Sequence, residues 1–319
     1  MTTGNFQYLD VKSVVPNEKP WTKVDGPGYS FRLQSHPRPV TNLRTHPEFS
    51  QFSTDNSGFS VHHSPSKVTA ADFDNDKTVR TTYYDEVAKV LREHLPSGDK
   101  VSHIEIFDHT IRKHDPTSPR QPVQQVHIDQ TPRSLPDHQR MASYQHPASD
   151  FPLAVIDWRT TSPKDLVKVD LMYPKRPAST VSKDSSDASN PPSDDDDRGK
   201  EALPDPSSIS STVGYEPRGE TLTVAPNSNH QFYYVKDMTP EETMFIKCFD
   251  SRSEWINDEG YVSGSENASE DAKKFGGFGS GKKGIAMGTP HTAFVDPETP
   301  VGVKGRESIE VRCLVFYDD

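Results

Sequence analysis

Short stretches in which apolar and polar residues alternate recur along the chain, separated by connections rich in Pro, Gly and Ser. The last stretch is the clearest, because Ile309, Val311, Cys313 and Val315 alternate with more polar neighbours. Such alternation predicts strands that present one face to a core. The predicted strands are 6–9, 58–62, 101–111, a run through Val123, Val126 and Ile128, 151–158, 166–173, 230–235 and 309–315, with order also expected at 219–224. Many short strands and few helices predict a mainly β fold, an antiparallel sandwich or jelly roll.

One segment, 79–95, has helical rather than strand periodicity. Its apolar residues recur every four positions, and Pro96 with the following Ser-Gly is expected to end the helix. These apolar residues are Val79, Tyr83, Val87, Leu91 and Leu95. Thr239-Pro-Glu-Glu242 has the spacing of a capping box, which is typical of a helix start. Periodicity leaves the following residues, 244–249, open between helix and strand.

Two polar segments interrupt the apolar pattern. Residues 175–212 are rich in Asp, Ser and Pro, and residues 257–288 are polar and Gly-rich. Neither contains enough apolar surface to offset the entropy lost on ordering, so we expect a disordered first insertion and a flexible second one. Only 31% of the chain is apolar and 28 residues are Pro, which fits a packed core with long unpacked connections. We therefore expect one domain over residues 1–319 carrying both insertions.

The charge and the terminal sequence argue against several partners. A net charge of -11 without a basic stripe is unsuited to nucleic acid. The N-terminus has no basic and apolar leader, and no run approaches the ~18 apolar residues of a membrane span. Cys248 and Cys313 both lie in apolar segments, which predicts buried free thiols in a reducing cytoplasm.

A His-x-Asp pair suggests a metal site. On a strand, His127 and Asp129 would point to the same side, while Ile128 faces the other side of the sheet. With His291 downstream they offer two imidazoles and one carboxylate, a set that holds Fe(II) on one face and leaves the other open. A surface His beside a solvated Asp remains the alternative. His103-Ile-Glu105 has the same spacing, and His109, His146 and His230 also lie in or beside apolar segments.

Three further motifs point to weaker hypotheses. Residues 276–283 nearly match a phosphate loop, but Lys283 stands where magnesium needs Ser or Thr. Residues 279–284 fit a dinucleotide fingerprint, yet no clear strand precedes them and no helix follows, so a flexible loop is favoured. The acidic run 194–197 could collect cations loosely, and a solvated segment is the favoured interpretation.

Collinear blocks along the chain carry a resemblance to a known family. They include His127-Ile-Asp129 and Pro290-His-Thr-Ala-Phe294. The full set is 106–112, 126–131, 152–157, 165–167, 170–171, 219–221, 230–234, 238–241, 246–251, 290–294 and 306–312. With these blocks the chain resembles the fungal gibberellin-desaturase-like oxidoreductases, which are also similar to the small chain of the cephalosporin 7-alpha-methoxylase system.

The resemblance implies a double-stranded β-helix, a cupin-like jelly roll, that holds non-heme Fe(II) with 2-oxoglutarate as co-substrate. It implies His127, Asp129 and His291 as ligands and Arg306 as the partner of the distal 2-oxoglutarate carboxylate. Arg312 is the reserve for that carboxylate, although a structural ion pair is its favoured use. The implied activity is a dioxygenase of fungal secondary metabolism that hydroxylates or desaturates a small molecule.

The chain also departs from this family. Members carry a helix and a strand with an Asn-x-Trp-Arg-Pro motif between the His-x-Asp block and the Pro-Leu-Ala block. Here residues 140–146 run almost directly into Phe151. The sequence therefore predicts a missing core strand and unpaired backbone groups in the sheet. The alternative functions are a catalytically impaired jelly-roll binding protein and an unrelated sandwich used as an interaction module.

Overall fold

Strands dominate the computed structural model, which describes residues 1–24, 28–118, 120–129, 137–175, 209–255 and 282–318. Within these residues there are fourteen strands. They are β1 (Thr2–Asp10), β2 (Trp21–Lys23), β3 (Arg32–Asn42), β4 (Phe59–His63), β5 (Val101–Lys113), β6 (His127–Ile128), β7 (Asp137–Ser143), β8 (Leu153–Ile156), β9 (Leu166–Pro174), β10 (Tyr215–Val224), β11 (Phe232–Tyr234), β12 (Glu242–Phe249), β13 (His291–Ala293) and β14 (Glu307–Tyr317). The mainly β prediction is confirmed.

The predicted helix at 79–95 is present and has three consecutive parts. A short α-helical turn, α1 (Asp76–Thr78), leads into a π-helical turn (Val79–Tyr83) and then into α2 (Tyr84–His94). Asn75 caps the start, because its side chain accepts from the backbone N–H of Thr78. Short 3-10 helices occupy Val11–Ser13, Leu43–Thr45, Phe49–Gln51, Ala70–Asp74, Gly98–Lys100, Trp158–Thr160 and Pro163–Asp165. No helix among the described residues is long and apolar enough to cross a membrane.

Contacts divide the chain into two compact units. The first comprises Met1–Leu9, Leu33–Val167 and Leu222–Asp319, and the second comprises Asp10–Arg32 and Lys168–Thr221. In the second unit, β2 pairs in parallel with β9. The first unit has two sheets, with strand orders β1-β3-β11-β8-β13-β6-β10 and β4-β12-β7-β14-β5. That the whole chain works as one oxygenase-like domain stays a prediction.

Two buried clusters show how the first unit is layered. Ile309, Val311, Cys313 and Val315 pack against the helix in one buried cluster. A second cluster joins β4, β7 and β12 of the five-stranded sheet to β8 and β11 of the other sheet, through Phe59, Met141, Leu153, Val155, Tyr233, Met244 and Ile246. The core therefore lies between the two sheets, as in a jelly roll.

The helix face gives a direct test of this packing. Leu91 is completely buried against β14, so Leu91→Ala should lower the free energy of unfolding by about 2–5 kcal/mol through lost burial and a cavity. Urea denaturation measures the change. The control is Lys89→Ala on the exposed face of the same helix, which should stay within about 0.5 kcal/mol of the parent. Equal effects of both substitutions would contradict this packing.

The prediction of a missing core strand is wrong. Strand β7 lies between β12 and β14 and pairs antiparallel with both, for example Met141 with Met244 and with Glu310. Its sequence, Asp-His-Gln-Arg-Met-Ala-Ser, has too few apolar residues for its alternation to show. Pairing on both sides satisfies the backbone hydrogen bonds of β7, although its side-chain pattern does not predict a strand.

Three other expectations need correction. Thr239–Glu242 does not start a helix: the Glu242 carboxylate accepts from the Thr239 N–H at 2.8 Å, which closes a turn before β12. The run from Val123 is a strand only at His127–Ile128, and the strand expected at 151–158 is confined to Leu153–Ile156.

The insertions at 175–212 and 257–288 lie largely outside the described residues, as do the acidic run 194–197 and most of 276–284. Cys248 and Cys313 are buried and form no disulfide, as predicted.

Candidate metal centre

Strand pairing brings His127 and His291 together. They lie directly opposite each other on the antiparallel strands β6 and β13, and His291 also pairs with Val155 of β8. Opposite residues of such a pair have neighbouring side chains on one face of the sheet. Val155 belongs to the cluster between the sheets, so this face is the interior one. Asp129 follows two residues after His127 and points to the same side.

These three side chains form a compact donor set. The ligand atoms of His127, Asp129 and His291 all lie within 4.8 Å of one another. The Nε2 atom of His127 is 3.3 Å from one Asp129 carboxylate oxygen, and the Nε2 atom of His291 is 4.0 Å from the other. No other group of three His, Cys, Asp or Glu residues in the described part of the chain converges in this way.

Backbone carbonyls orient both imidazoles. The Nδ1–H of His127 donates to the carbonyl of Gln125 at 2.7 Å, and that of His291 donates to the carbonyl of Thr289 at 2.9 Å. A histidine held in this way keeps the proton on Nδ1 and presents the Nε2 lone pair to an ion. Both Nε2 atoms face Asp129, so the set is prepared for one shared cation.

Burial and mutual charge set the protonation of this group. Burial, reinforced by the neighbouring His127, lowers the pKa of His291 to about 4. Burial also lowers the pKa of His127, but the hydrogen bond and charge of Asp129 outweigh it and leave that pKa above its ordinary value. Burial raises the pKa of Asp129, yet its contact with His127 and the charge of His291 hold that pKa below its usual range. At neutral pH the site thus offers an ionised carboxylate and a neutral His291, which metal binding requires.

A small cavity of about 10 Å³ lies beside the two histidines and reaches Arg306. The Arg306 side chain is only 3% exposed, and its nearest carboxylate oxygen, on Glu310, is 3.9 Å away. Its guanidinium donates to the Phe151 carbonyl at 2.9 Å and to the Ser308 hydroxyl at 3.0–3.1 Å. Burial lowers the pKa of Arg306 to about 10, which still leaves it a cation at neutral pH. An anion entering the cavity would therefore meet a buried positive charge.

Arg312, the reserve for the co-substrate, has a different environment. It forms an ion pair with Asp108 of the adjacent strand β5, and it is not among the cavity-lining residues. The favoured use of Arg312 as a structural ion pair agrees with this contact.

The alternative histidines lie elsewhere. His103 pairs with Glu105 at the surface, and His109 contacts Tyr84. The Nδ1 atom of His146 lies 3.0 Å from the Pro147 carbonyl. His230 is buried between Tyr8 and Asp165, at 2.9 and 3.1 Å.

Sequence reasoning missed the role of Arg112 in this cavity. Arg112 lines it beside His127, and its Nε atom donates to Glu310 at 2.8 Å. Ser308 lies opposite Arg112 in the register of β5 and β14. Residues 306, 308 and 310 share one face of the terminal stretch. This alternation was the sequence signal that places Ser308 and Glu310 beside Arg306. The contribution of Arg112 depends on the pairing of β5 with β14, which no local pattern reveals.

The comparisons with known proteins cover most of the chain. The family model described as the oxidoreductase/YMDC permease-like domain matches residues 6–144, 201–259 and 260–316. The hydroxylase/desaturase efuI of Hormonema carpetanum is 25% identical over 91% of this chain and 87% of that protein. The hydroxylase/desaturase asaB of Aspergillus flavus is 38% identical over 28% of this chain and 27% of that protein.

A solved structure is similar over almost the full length. It is described as an iron and alpha-ketoglutarate-dependent endoperoxidase, NvfI, with a TM-score of 0.65 over 99% of this chain and 98% of that chain. At 17% identity this likeness shows the fold alone. The predicted jelly-roll architecture is confirmed.

Proposed function

This chain belongs to the family of the oxidoreductase/YMDC permease-like domain, and on that premise we propose that it is an Fe(II)- and 2-oxoglutarate-dependent oxygenase. The predicted kinship with fungal non-heme iron oxidoreductases is confirmed. The proposed reaction is hydroxylation or desaturation of a small-molecule secondary metabolite, as the names of the relatives suggest.

One observation carries the proposal, namely the convergence of His127, Asp129 and His291. Two imidazoles and one carboxylate on one side of an ion are typical of non-heme Fe(II) oxygenases, because the other side stays open for co-substrate and oxygen. The hydrogen bonds of both Nδ1 atoms to backbone carbonyls support ligation through Nε2. A divalent cation would take the place of the proton between His127 and Asp129.

Arg306 supports 2-oxoglutarate as the co-substrate. A keto acid that binds the metal through one end carries a second carboxylate at the other, and Arg306 lines the same cavity as the two histidines. Its guanidinium is anchored by Ser308 and the Phe151 carbonyl, so it is already oriented to pair with a carboxylate. The buried cation thereby acquires the counter-ion that Glu310, at 3.9 Å, does not fully provide.

The residues of this chain would bind and orient the metal ion and the co-substrate, and would shield them from water. Bound Fe(II) and 2-oxoglutarate supply oxygen activation that is coupled to decarboxylation of the keto acid and to removal of hydrogen from an unactivated C–H bond. His127, Asp129 and His291 would hold the ion in one position and bind it from one side. Val123, Met141 and Leu153 form an apolar part of the cavity wall that limits water. The catalytically impaired alternative loses its support, because β7 pairs on both sides.

An anaerobic titration tests the proposal. Addition of Fe(II) and then 2-oxoglutarate to metal-free protein should produce a visible metal-to-ligand absorption band that saturates at one equivalent of each. Oxygen should then bleach the band with release of succinate. Failure of the native protein to give the band would exclude this function.

Arg306→Lys separates co-substrate binding from metal binding. Lysine keeps the charge but loses the planar pair of donors, so the Kd of 2-oxoglutarate should rise about 10-fold or more. The Kd of Fe(II) alone should stay unchanged. Calorimetry on the anaerobic protein measures both values, and Arg312→Lys is the matched control outside the cavity. Equal losses in the two variants would remove Arg306 from this role.

For the location of the protein we propose the cytoplasm. Cys248 and Cys313 are both buried and form no disulfide, which supports a reducing compartment.

A further inference from the structure

Arg112 is a second cation in the cavity of the candidate metal centre. It lies on β5, opposite Ser308 of β14. Its Nε atom donates to Glu310 at 2.8 Å, and its Nη1 atom donates to the Gln121 carbonyl at 3.2 Å. Among the described residues, its Nη2 atom has no hydrogen-bond partner. One donor-bearing nitrogen of a fixed guanidinium is therefore available to a ligand.

The two arginines of the cavity differ in depth. The Arg306 side chain is 3% exposed, whereas that of Arg112 is 18% exposed. Arg306 is thus the more deeply buried of the two and suits the co-substrate, while Arg112, which lines the cavity with His127, is more accessible to solvent.

The charges around the cavity cancel. Arg112 and Arg306 supply two positive charges, and Glu310 and Asp129 supply two negative ones. Fe(II) and 2-oxoglutarate would then add two charges of each sign, so the loaded cavity stays neutral. A charged molecule buried there would lack a counter-ion, which is costly in a water-poor site. An uncharged molecule has no such cost.

Apart from Thr292, the remaining wall is apolar. Val123, Met141, Leu153 and Ala293 line the cavity together with the polar groups. They would cover hydrocarbon, and they leave Arg112 to hold a single oxygen acceptor.

Resting on the proposed function, we propose that Arg112, held by Glu310, selects the substrate. The substrate class is an uncharged, mainly apolar molecule with one carbonyl or hydroxyl oxygen that accepts a hydrogen bond from Arg112 Nη2. Glu310 has two effects in this arrangement: it orients the guanidinium and cancels its charge, so that a neutral acceptor is preferred to a carboxylate.

Three probes of similar size test this selection. Acetophenone has a neutral acceptor, benzoate has a carboxylate, and ethylbenzene has neither. Each is titrated into the full-length anaerobic protein loaded with Fe(II) and saturating 2-oxoglutarate, and calorimetry together with the shift of the visible band gives the Kd. Acetophenone should bind about 10-fold tighter than either other probe, the size expected of one hydrogen bond from a charged donor.

Two substitutions then distinguish the effect of the Arg112 hydrogen bond from the effect of its positive charge. Arg112→Met should reduce the affinity for acetophenone to that for ethylbenzene, while the band with 2-oxoglutarate persists. Glu310→Gln should raise the affinity for benzoate about 10-fold, because it leaves one uncancelled positive charge. Lys113→Met, a cation-to-Met change on the same strand outside the cavity, is the matched control and should change neither.

The outcomes distinguish this inference from the proposed function. No band in the native protein would contradict both. A normal band with equal affinities for the probes, with benzoate preferred, or without measurable binding of acetophenone would overturn the selection by Arg112 alone. Loss of the band in a folded Arg112→Met protein would assign Arg112 to the co-substrate and likewise overturn it.

Discussion

Replacing His127 with alanine should abolish the visible band with Fe(II) and 2-oxoglutarate and leave the fold intact. The substitution removes one of three converging ligand atoms. The loss of an outer partner alone typically weakens metal binding by 10–100-fold, so loss of a ligand should weaken it by more than about 100-fold. Absorption spectroscopy of the anaerobic protein measures the band, and circular dichroism measures the fold.

The control for this experiment is His103→Ala. His103 has a similar spacing to a carboxylate, in His103-Ile-Glu105, but lies at the surface. It should leave the band and the affinity for Fe(II) unchanged. A band that survives in His127→Ala, or that disappears equally in His103→Ala, would remove His127 from the centre.

Asp250→Ala should be among the most destabilising single changes in this chain. Asp250 contacts Lys247 Nζ at 2.6 Å and Arg252 Nη2 at 2.7 Å, and Asp55 completes the group at 3.0 and 2.9 Å from the same nitrogens. The Lys247 side chain is 0% exposed. Without Asp250, Asp55 is the one carboxylate of this group left for two cations, so one largely buried positive charge lacks a counter-ion and the free energy of unfolding should fall by about 3–5 kcal/mol.

The pH dependence of stability gives a second measure of Asp250. Burial raises the pKa of Asp250, but Lys247 and Arg252 outweigh burial and hold that pKa well below its ordinary value. Because the folded-state pKa is depressed, the stabilisation is complete above about pH 4 and decreases as the pH falls toward the folded-state pKa. Asp250→Ala should lack this part of the acid dependence in urea denaturation. Asp99→Ala, at an exposed position, should retain it, and an equal loss in both would contradict the account.

Elements with their own periodicity could be predicted from the sequence, and elements defined by their neighbours could not. Strand β14 and the helix that faces it have apolar residues at the spacing that their secondary structure requires. Strand β7 has only Met141 and Ala142 as apolar residues, and it is a strand because β12 and β14 pair with it on both sides. At Thr239–Glu242 the hydrogen bond typical of a helix start forms, but a strand follows.

The candidate site shows the same division. His127 and Asp129 are two residues apart in sequence, so their shared side of the strand could be predicted from spacing. That His291 lies opposite His127 follows from the pairing of β6 with β13. The sequence pattern offered His291 as a candidate third ligand, and the family resemblance strengthened that prediction. Arg112 was missed because its position beside Glu310 depends on the pairing of two strands far apart in sequence.

Crystals grown anaerobically with Fe(II) and 2-oxoglutarate give the decisive test of the three-residue iron centre, through an anomalous difference map at the iron absorption edge. We expect a single strong peak about 2.0–2.2 Å from His127 Nε2, His291 Nε2 and an Asp129 carboxylate oxygen, the range of comparable metal–ligand bonds. A peak at another place in the chain, or one that His291 does not reach, would contradict it.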